Sequence, residues 1–293
     1  MPNPLLPRLL PAPIPALHPL AEYRVDGERA AAYAEMKQAL QVPWMGVVTM
    51  AYAHYPSFFR ALWQGIEPIV RSSAFVAHSA ALRARAEQGA RRLQPASLAP
   101  ALVELGYAPR ELQQIRALIE VFSHGNQPYL LIASITRLLL EGGELDGAGD
   151  ATPFAGRHGP QAGSALVLME AHHADAPTRA LYADIQRTLG LPFVNTDYRA
   201  LARWPSYLDA AWRKLAPQVQ SEAYRQLCDE LHADVLERVA HALPNPAALR
   251  GEALRAAAAA DAPLAEVIAV ARLFQWLLPG LVTNVAFLRE QLA

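Results

Sequence analysis

"LPFVNTDYRALARWPSYLDAAW", residues 191–212, restates an earlier stretch, "VPWMGVVTMAYAHYPSFFRALW", residues 42–63. Pro, Ala, Ala, Pro, Ser, Ala and Trp recur in register at an offset of 149, and Val48 in the first copy stands where the second has Asp197. The match extends outward without a gap. Comparing 33–74 with 182–223 gives 14 identities in 42 positions, from Tyr33 with Tyr182 to Ala74 with Ala223. Other positions agree in conservative form, as in Trp44 with Phe193 and Tyr55 with Trp204. A second block follows at an offset three residues longer: "LQQIRALIEVFSHGNQPYLL" (112–131) parallels "LAEVIAVARLFQWLLPGLVT" (264–283) and pairs Phe122 with Phe274. Two copies of one unit, roughly 30–137 and 179–289, account for this pattern. The period is too long for a solenoid array. A site is expected where the copies meet.

Each copy reads as helical. Leu112, Ile115, Leu118, Ile119 and Phe122 recur at the three- and four-residue spacing of a helix face. Helices are expected over 28–40, 57–70, 73–90, 110–122, 128–140, 177–189, 206–216, 220–242 and 264–278. Pro56 and Pro205 suit first-turn positions, where a missing N–H costs nothing. No hairpin pattern stands out, so the fold class is all-α. The expected organisation is a proline-rich arm (1–27), a first helical repeat (28–140), a linker (141–176) and a second repeat (177–293), in one compact domain. The arm holds seven prolines in its first 20 residues, too many for the helical apolar region of a signal peptide. The stretch 141–163 holds seven glycines and reads as structureless.

Composition narrows the function. Hydrophobic residues make up 53% of the 293-residue chain and the net charge is −1. No basic block is present, so neither nucleic acid nor an anionic membrane surface is an expected partner. The apolar stretch 264–288 is interrupted by Glu266, Arg272 and Pro279-Gly280 and reads as a buried helix pair rather than a membrane span. Cys228 is the single cysteine. It excludes a disulfide within the chain and a Cys-x-x-Cys site, and fits a reducing, cytoplasmic location.

The repeat also isolates candidate chemistry. A polar residue that faces an apolar one in the other copy is not required by the shared fold. Asp197 faces Val48, and Asn126 faces Leu278. A buried carboxylate or amide is costly unless it is paired or used. Each has a plainer reading. "NTDY" resembles a helix start, with Asn195 or Thr196 as N-cap and Asp197 in the first turn. "HGNQP" resembles a turn around Asn126. His124 faces Trp276 across the repeat and suits either a pocket wall or the core, as does Trp44. Glu67 reads as a solvated helix residue. His172 and His173 are adjacent and lack a third ligand at useful spacing, so no metal site is expected.

Taken together, "VPW" (42–44), "YP" (55–56), "FSHGNQPYLL" (122–131) and "DYRALARWP" (197–205) resemble the group I 2-haloacid dehalogenases, the D-specific and non-stereospecific enzymes. The resemblance covers most of the chain. It implies an all-α fold of two pseudo-repeats, a deeply knotted chain, a site between the repeats, a homodimer and no cofactor. By motif it places a catalytic aspartate at Asp197, a water-positioning asparagine at Asn126, and substrate-binding positions at Trp44, Val47, Asn195, Thr196, Trp276 and His124. Val47, where the family has Phe in some members, and Pro279-Gly280 depart from its pattern. The implied reaction is hydrolysis of a short 2-haloacid to the 2-hydroxyacid with inversion. Asp197 would activate water directly, with no ester intermediate, and backbone N–H groups in 193–197 would hold the substrate carboxylate. The D-enantiomer or both would be accepted. A helical small-carboxylate-binding protein, with Asp197 as a cap or ligand contact, is the non-catalytic alternative; a hydrolase of another small acid is the catalytic one.

Overall fold

The computed structural model describes residues 6–160 and 166–293. Residues 1–5 of the expected arm and 161–165 of the expected linker lie outside the described residues. Twelve α-helices are present among the described residues: α1 (Gly27–Leu40), α2 (Val47–Tyr52), α3 (Pro56–Val70), α4 (Ser73–Arg92), α5 (Ala99–Glu104), α6 (Pro109–Leu140), α7 (Ala176–Leu189), α8 (Thr196–Leu201), α9 (Pro205–Val219), α10 (Glu222–His241), α11 (Gly251–Asp261) and α12 (Leu264–Glu290). No strand occurs among them, and the fold is all-α.

Helices α1 to α4 are 14, 6, 15 and 20 residues long, and α7 to α10 have the same lengths in the same order. Local chemistry explains much of this agreement. Pro56 and Pro205 each occupy the first turn of their helix. Ser72 caps α4 by accepting from the Phe75 N–H, and Ser221 caps α10 by accepting from the Tyr224 N–H. Gly190 ends α7 in the left-handed conformation at φ 66°, where glycine carries no penalty. The matching position after α1 is Gln41, at φ 51°. Its side chain offsets that strain, since Oε1 accepts from the N–H groups of His158 and Gly159.

The core is built around α6 and α12, which make the most extensive helix–helix contact in the molecule. Every residue of α6 from Val121 to Leu140 is buried. This helix runs unbroken through Pro128, where the sequence suggests a turn between two helices. Likewise α12 is one helix through Pro279 rather than a pair. A proline in a helix interior costs about 3 kcal/mol. Burying one large apolar side chain is worth about 1.5–3 kcal/mol, and both helices bury many, so packing outweighs the local break. Helix α12 is long and apolar enough to cross a membrane, but it lies packed against α4, α6 and α10.

The short helices α2, α5, α8 and α11 are not among the expected ones. Each has 11 residues or fewer, too short for periodicity to register. The segment between α6 and α7 has almost no regular structure but is pinned along its described length. Its N–H groups reach Ala240 from Asp146, Arg71 from Phe154 and Arg199 from Met169. Its glycines serve close approach: a Cβ on Gly149 would lie 2.1 Å from the Ala242 carbonyl oxygen. The arm is extended and ties down on several helices. Leu20 donates to Met50, the Pro7 carbonyl accepts from Arg137, and the Leu6 carbonyl meets His232 Nε2 at 2.7 Å.

Candidate active site

Asp197 sits in the first turn of α8, and Asn126 in the buried middle of α6. The Asn126 Nδ2 donates to Asp197 Oδ1 at 2.7 Å, across 71 residues of sequence. Both side chains are buried, at 3% and 4% exposure. The turn reading of Asn126 is therefore corrected: it is a helix residue, and its amide is committed to Asp197 rather than to its own backbone. Asn195 is the N-cap residue of α8, as the sequence suggests, but its side chain makes no capping hydrogen bond.

The pair faces a cavity of about 40 Å³. Its walls come from the α2 start (Trp44, Gly46, Val47, Val48), from α6 (Asn126, Tyr129), from the α8 start (Phe193, Asn195, Thr196, Asp197) and from α12 (Phe274, Leu277, Leu278, Leu281). Val48 and Asp197, which correspond in the two repeated stretches, thus line one cavity. A water needs about 10–15 Å³ on this measure, so the space suits a ligand of a few heavy atoms. Among the described residues on the wall, the only ionisable group besides Asp197 is the Tyr129 phenol, which donates to the Trp44 carbonyl at 2.8 Å.

Burial dominates the electrostatics. It pushes the Asp197 carboxyl up to about 6, against the hydrogen bond from Asn126, which favours the ionised form. The Arg199 charge lowers it only weakly, since its guanidinium pairs with Glu170 at 2.7 Å. Such a carboxylate is ionised at neutral pH yet basic enough to take a proton.

Close packing shapes the wall. Trp44 packs edge-on against Phe122 at a ring separation of 5.1 Å. A Cβ on Gly125 would stand 2.3 Å from the Trp44 ring, so only glycine beside Asn126 lets the indole sit there. At Gly46 a Cβ would lie 2.8 Å from the Tyr129 ring.

The structure brings Asp197, Asn126, Trp44, Val47, Asn195 and Thr196 together. It does not bring in His124 or Trp276. His124 lies two residues before Asn126 on α6 and points elsewhere, with Nε2 at 3.1 Å from the Leu40 carbonyl and its ring 5.3 Å from His158. Trp276 lines a neighbouring cavity, under the Arg8 guanidinium. Glu67 pairs with Arg71 on the half-exposed face of α3. His172 and His173 lie in an exposed turn, and no cluster of three metal-ligating side chains occurs among the described residues. Tyr129, Gly46 and the α12 leucines escape the sequence reading. Their types are ordinary core types, and only Tyr129, directly after "NQP", sits near a recognised motif.

Known proteins resemble this chain over nearly its whole length. The family model for the halocarboxylic acid dehydrogenase DehI matches residues 43–191. An (R)-2-haloacid dehalogenase of Rhizobium sp. (strain NHG3) is 47% identical, over 84% of this chain and 96% of its own. A second (R)-2-haloacid dehalogenase, from Pseudomonas putida, is 37% identical over 96% and 95%. A solved D-2-haloacid dehalogenase mutant in complex with D-2-CPA superposes with a TM-score of 0.86 at 35% identity, covering 95% of this chain and 97% of that one. The chain belongs to the halocarboxylic acid dehydrogenase DehI family, alongside these (R)-2-haloacid dehalogenases.

Proposed function

We propose that this protein hydrolyses short 2-haloalkanoic acids to 2-hydroxyalkanoic acids with inversion at Cα, using a water activated by Asp197. The observation that carries the proposal is the buried Asn126–Asp197 pair facing a small, otherwise apolar cavity. Attack at Cα must come from opposite the carbon–halogen bond, so a single in-line displacement inverts. Asp197 takes a proton from the water as its oxygen bonds Cα and halide leaves with the bonding electrons. Asn126 orients the carboxylate and the water beside it. Holding the reactants in line is worth up to about 7–11 kcal/mol in favourable cases, and base assistance about 10²–10⁴-fold.

Direct attack by water is favoured over a covalent ester on two grounds. The raised pKa suits a base. An ester on Asp197 would need a second base to hydrolyse it, and no other carboxylate or histidine lines the cavity among the described residues. The substrate carboxylate needs compensation that no lining cation supplies. The turn that opens α8 already carries the Asp197 charge. The N–H groups of Val47 and Val48, in the first turn of α2 where no intrahelical acceptor exists, are the better donors.

Acceptance of the D-enantiomer follows the names of the relatives, and the small cavity favours two- and three-carbon acids. Halide release with separated D- and L-2-chloropropionate tests the activity. A single turnover in ¹⁸O-water tests the route: label goes to the product under direct attack, and label recovered in the Asp197 carboxyl refutes it.

A further inference from the structure

We propose that a second cavity, beside the Asp197 cavity, is an anion-binding vestibule that holds an organic monocarboxylate on its way to or from the site; this rests on the haloacid reading above. The cavity measures about 250 Å³ and shares Asn195, Leu277 and Leu281 with the smaller one. These three side chains form the partition between the two spaces. The rim reaches solvent at Arg225, which is exposed, whereas nearly every side chain of the inner cavity is buried or half-buried.

A half-buried cation marks the larger cavity. Arg8 comes from the N-terminal arm and is only 14% exposed at its side chain. Its Nε donates to the Trp276 carbonyl at 3.0 Å, and its guanidinium lies 5.6 Å from the centre of the Trp276 ring. One terminal nitrogen reaches Asp229, itself 63% exposed, at 3.2 Å. The other, Nη2, makes no hydrogen bond among the described residues. Arg225, the other arginine on the wall, directs its donors to Glu222 and to the Gln220 carbonyl. A guanidinium with one terminal nitrogen to spare in a partly enclosed cavity is suited to a carboxylate.

The second observation is Asn195. It is 7% exposed, its Oδ1 has no partner among the described residues, and it stands on both cavity walls. A buried amide oxygen left unpaired is costly; it accepts, so a bare carboxylate does not satisfy it, whereas the hydroxyl of a 2-hydroxyacid leaving the inner cavity can donate to it. Five leucine and valine side chains, Leu189, Leu191, Val219, Leu277 and Leu281, supply an apolar part of the wall, while Tyr224 and Asn284 bond to each other, to the Gly280 carbonyl and to Tyr198. A bare halide would gain little from them. A carboxylate with an alkyl chain fits both halves of the lining. An acid too large for the 40 Å³ inner cavity would lodge in the outer one and block passage.

Hexanoate is the probe, because it carries no halogen and is too long for the inner cavity. Calorimetric titration of the full chain should show binding that Arg8→Gln weakens at least tenfold and Arg8→Lys largely restores. Val219→Phe, which narrows the cavity from α9 without touching the arm, should weaken binding by a similar factor while far-UV circular dichroism and melting stay near the parent. Hexanoate should also inhibit halide release from 2-chloropropionate, with the inhibition constant rising in the same two variants. No binding to the parent, or binding and inhibition indifferent to Arg8→Gln or to Val219→Phe, overturns the vestibule. Parent protein that binds hexanoate but releases no halide refutes the haloacid reading instead, so the two failures are distinguishable.

Discussion

Replacing Asp197 by asparagine should stabilise the folded protein while abolishing turnover, and the gain should depend on pH in a way the burial dictates. Burial raises the Asp197 pKa from 3.8 to about 6. In the unfolded chain the carboxyl ionises near 3.9. Between those values the folded state holds a proton that the unfolded state has released, so stability falls as pH rises through the window. Below about 4 both states are protonated and no penalty exists. Above about 6 both are ionised and the penalty is complete. The difference between the two states amounts to about 3 kcal/mol, at about 1.36 kcal/mol per pH unit. The asparagine side chain is neutral throughout and can still accept from Asn126. The melting temperature of Asp197→Asn should therefore exceed that of the parent by a margin that grows between pH 4 and 6 and then levels off, by roughly 5 °C in all for a chain of this size. The measurement is a pair of thermal melts at half-unit intervals from pH 3.5 to 8, in buffers free of small carboxylates that would occupy the site. All other titrating groups are common to both proteins and cancel in the difference. A margin independent of pH, or one that shrinks as pH rises, would show that Asp197 is not a destabilised buried carboxylate. The base assignment would lose its physical ground with it.

Other outcomes follow from the same geometry. In the parent, kcat/KM for halide release should rise with pH on a limb near 6, the value for Asp197 in the free enzyme. Asn126→Ala removes the hydrogen bond that favours the carboxylate, so that limb should move to higher pH and kcat should fall by about 10²-fold or more; an unmoved limb would mean the 2.7 Å contact carries no charge stabilisation. Gly125→Ala places a methyl 2.3 Å from the Trp44 ring. Overpacking of this kind costs about 1–3 kcal/mol, and the displaced indole should lower kcat/KM, both readable from melts and initial rates. Leu278→Ala should widen the inner cavity and shift relative kcat/KM from 2-chloropropionate toward 2-chlorobutyrate, at a cost of about 2–5 kcal/mol in stability.

Helix class, the starts of most of the longer helices and the two odd polar residues were legible in the linear sequence. They rest on short-range physics: proline in a first turn and helical spacing. The comparison of residues 33–74 with 182–223 added a control inside the chain, because a position sampled as both Val48 and Asp197 owes its carboxylate to something other than packing. What stayed illegible was settled by long-range burial. Pro128 and the "HGNQP" pattern signal a turn locally, yet the apolar neighbours of α6 hold the helix straight through. That continuity carries Asn126 to Asp197, and it turns His124 away toward Leu40 and His158. Trp276 and its arm-borne neighbour Arg8, 268 residues apart, were beyond any local signal. By itself the sequence determined an all-α chain with a misplaced aspartate and asparagine. Only the tertiary structure decided that the two meet, in a small, largely apolar cavity with no cation among its described lining residues, because desolvation and contact depend on which distant segments pack together and not on their order along the chain.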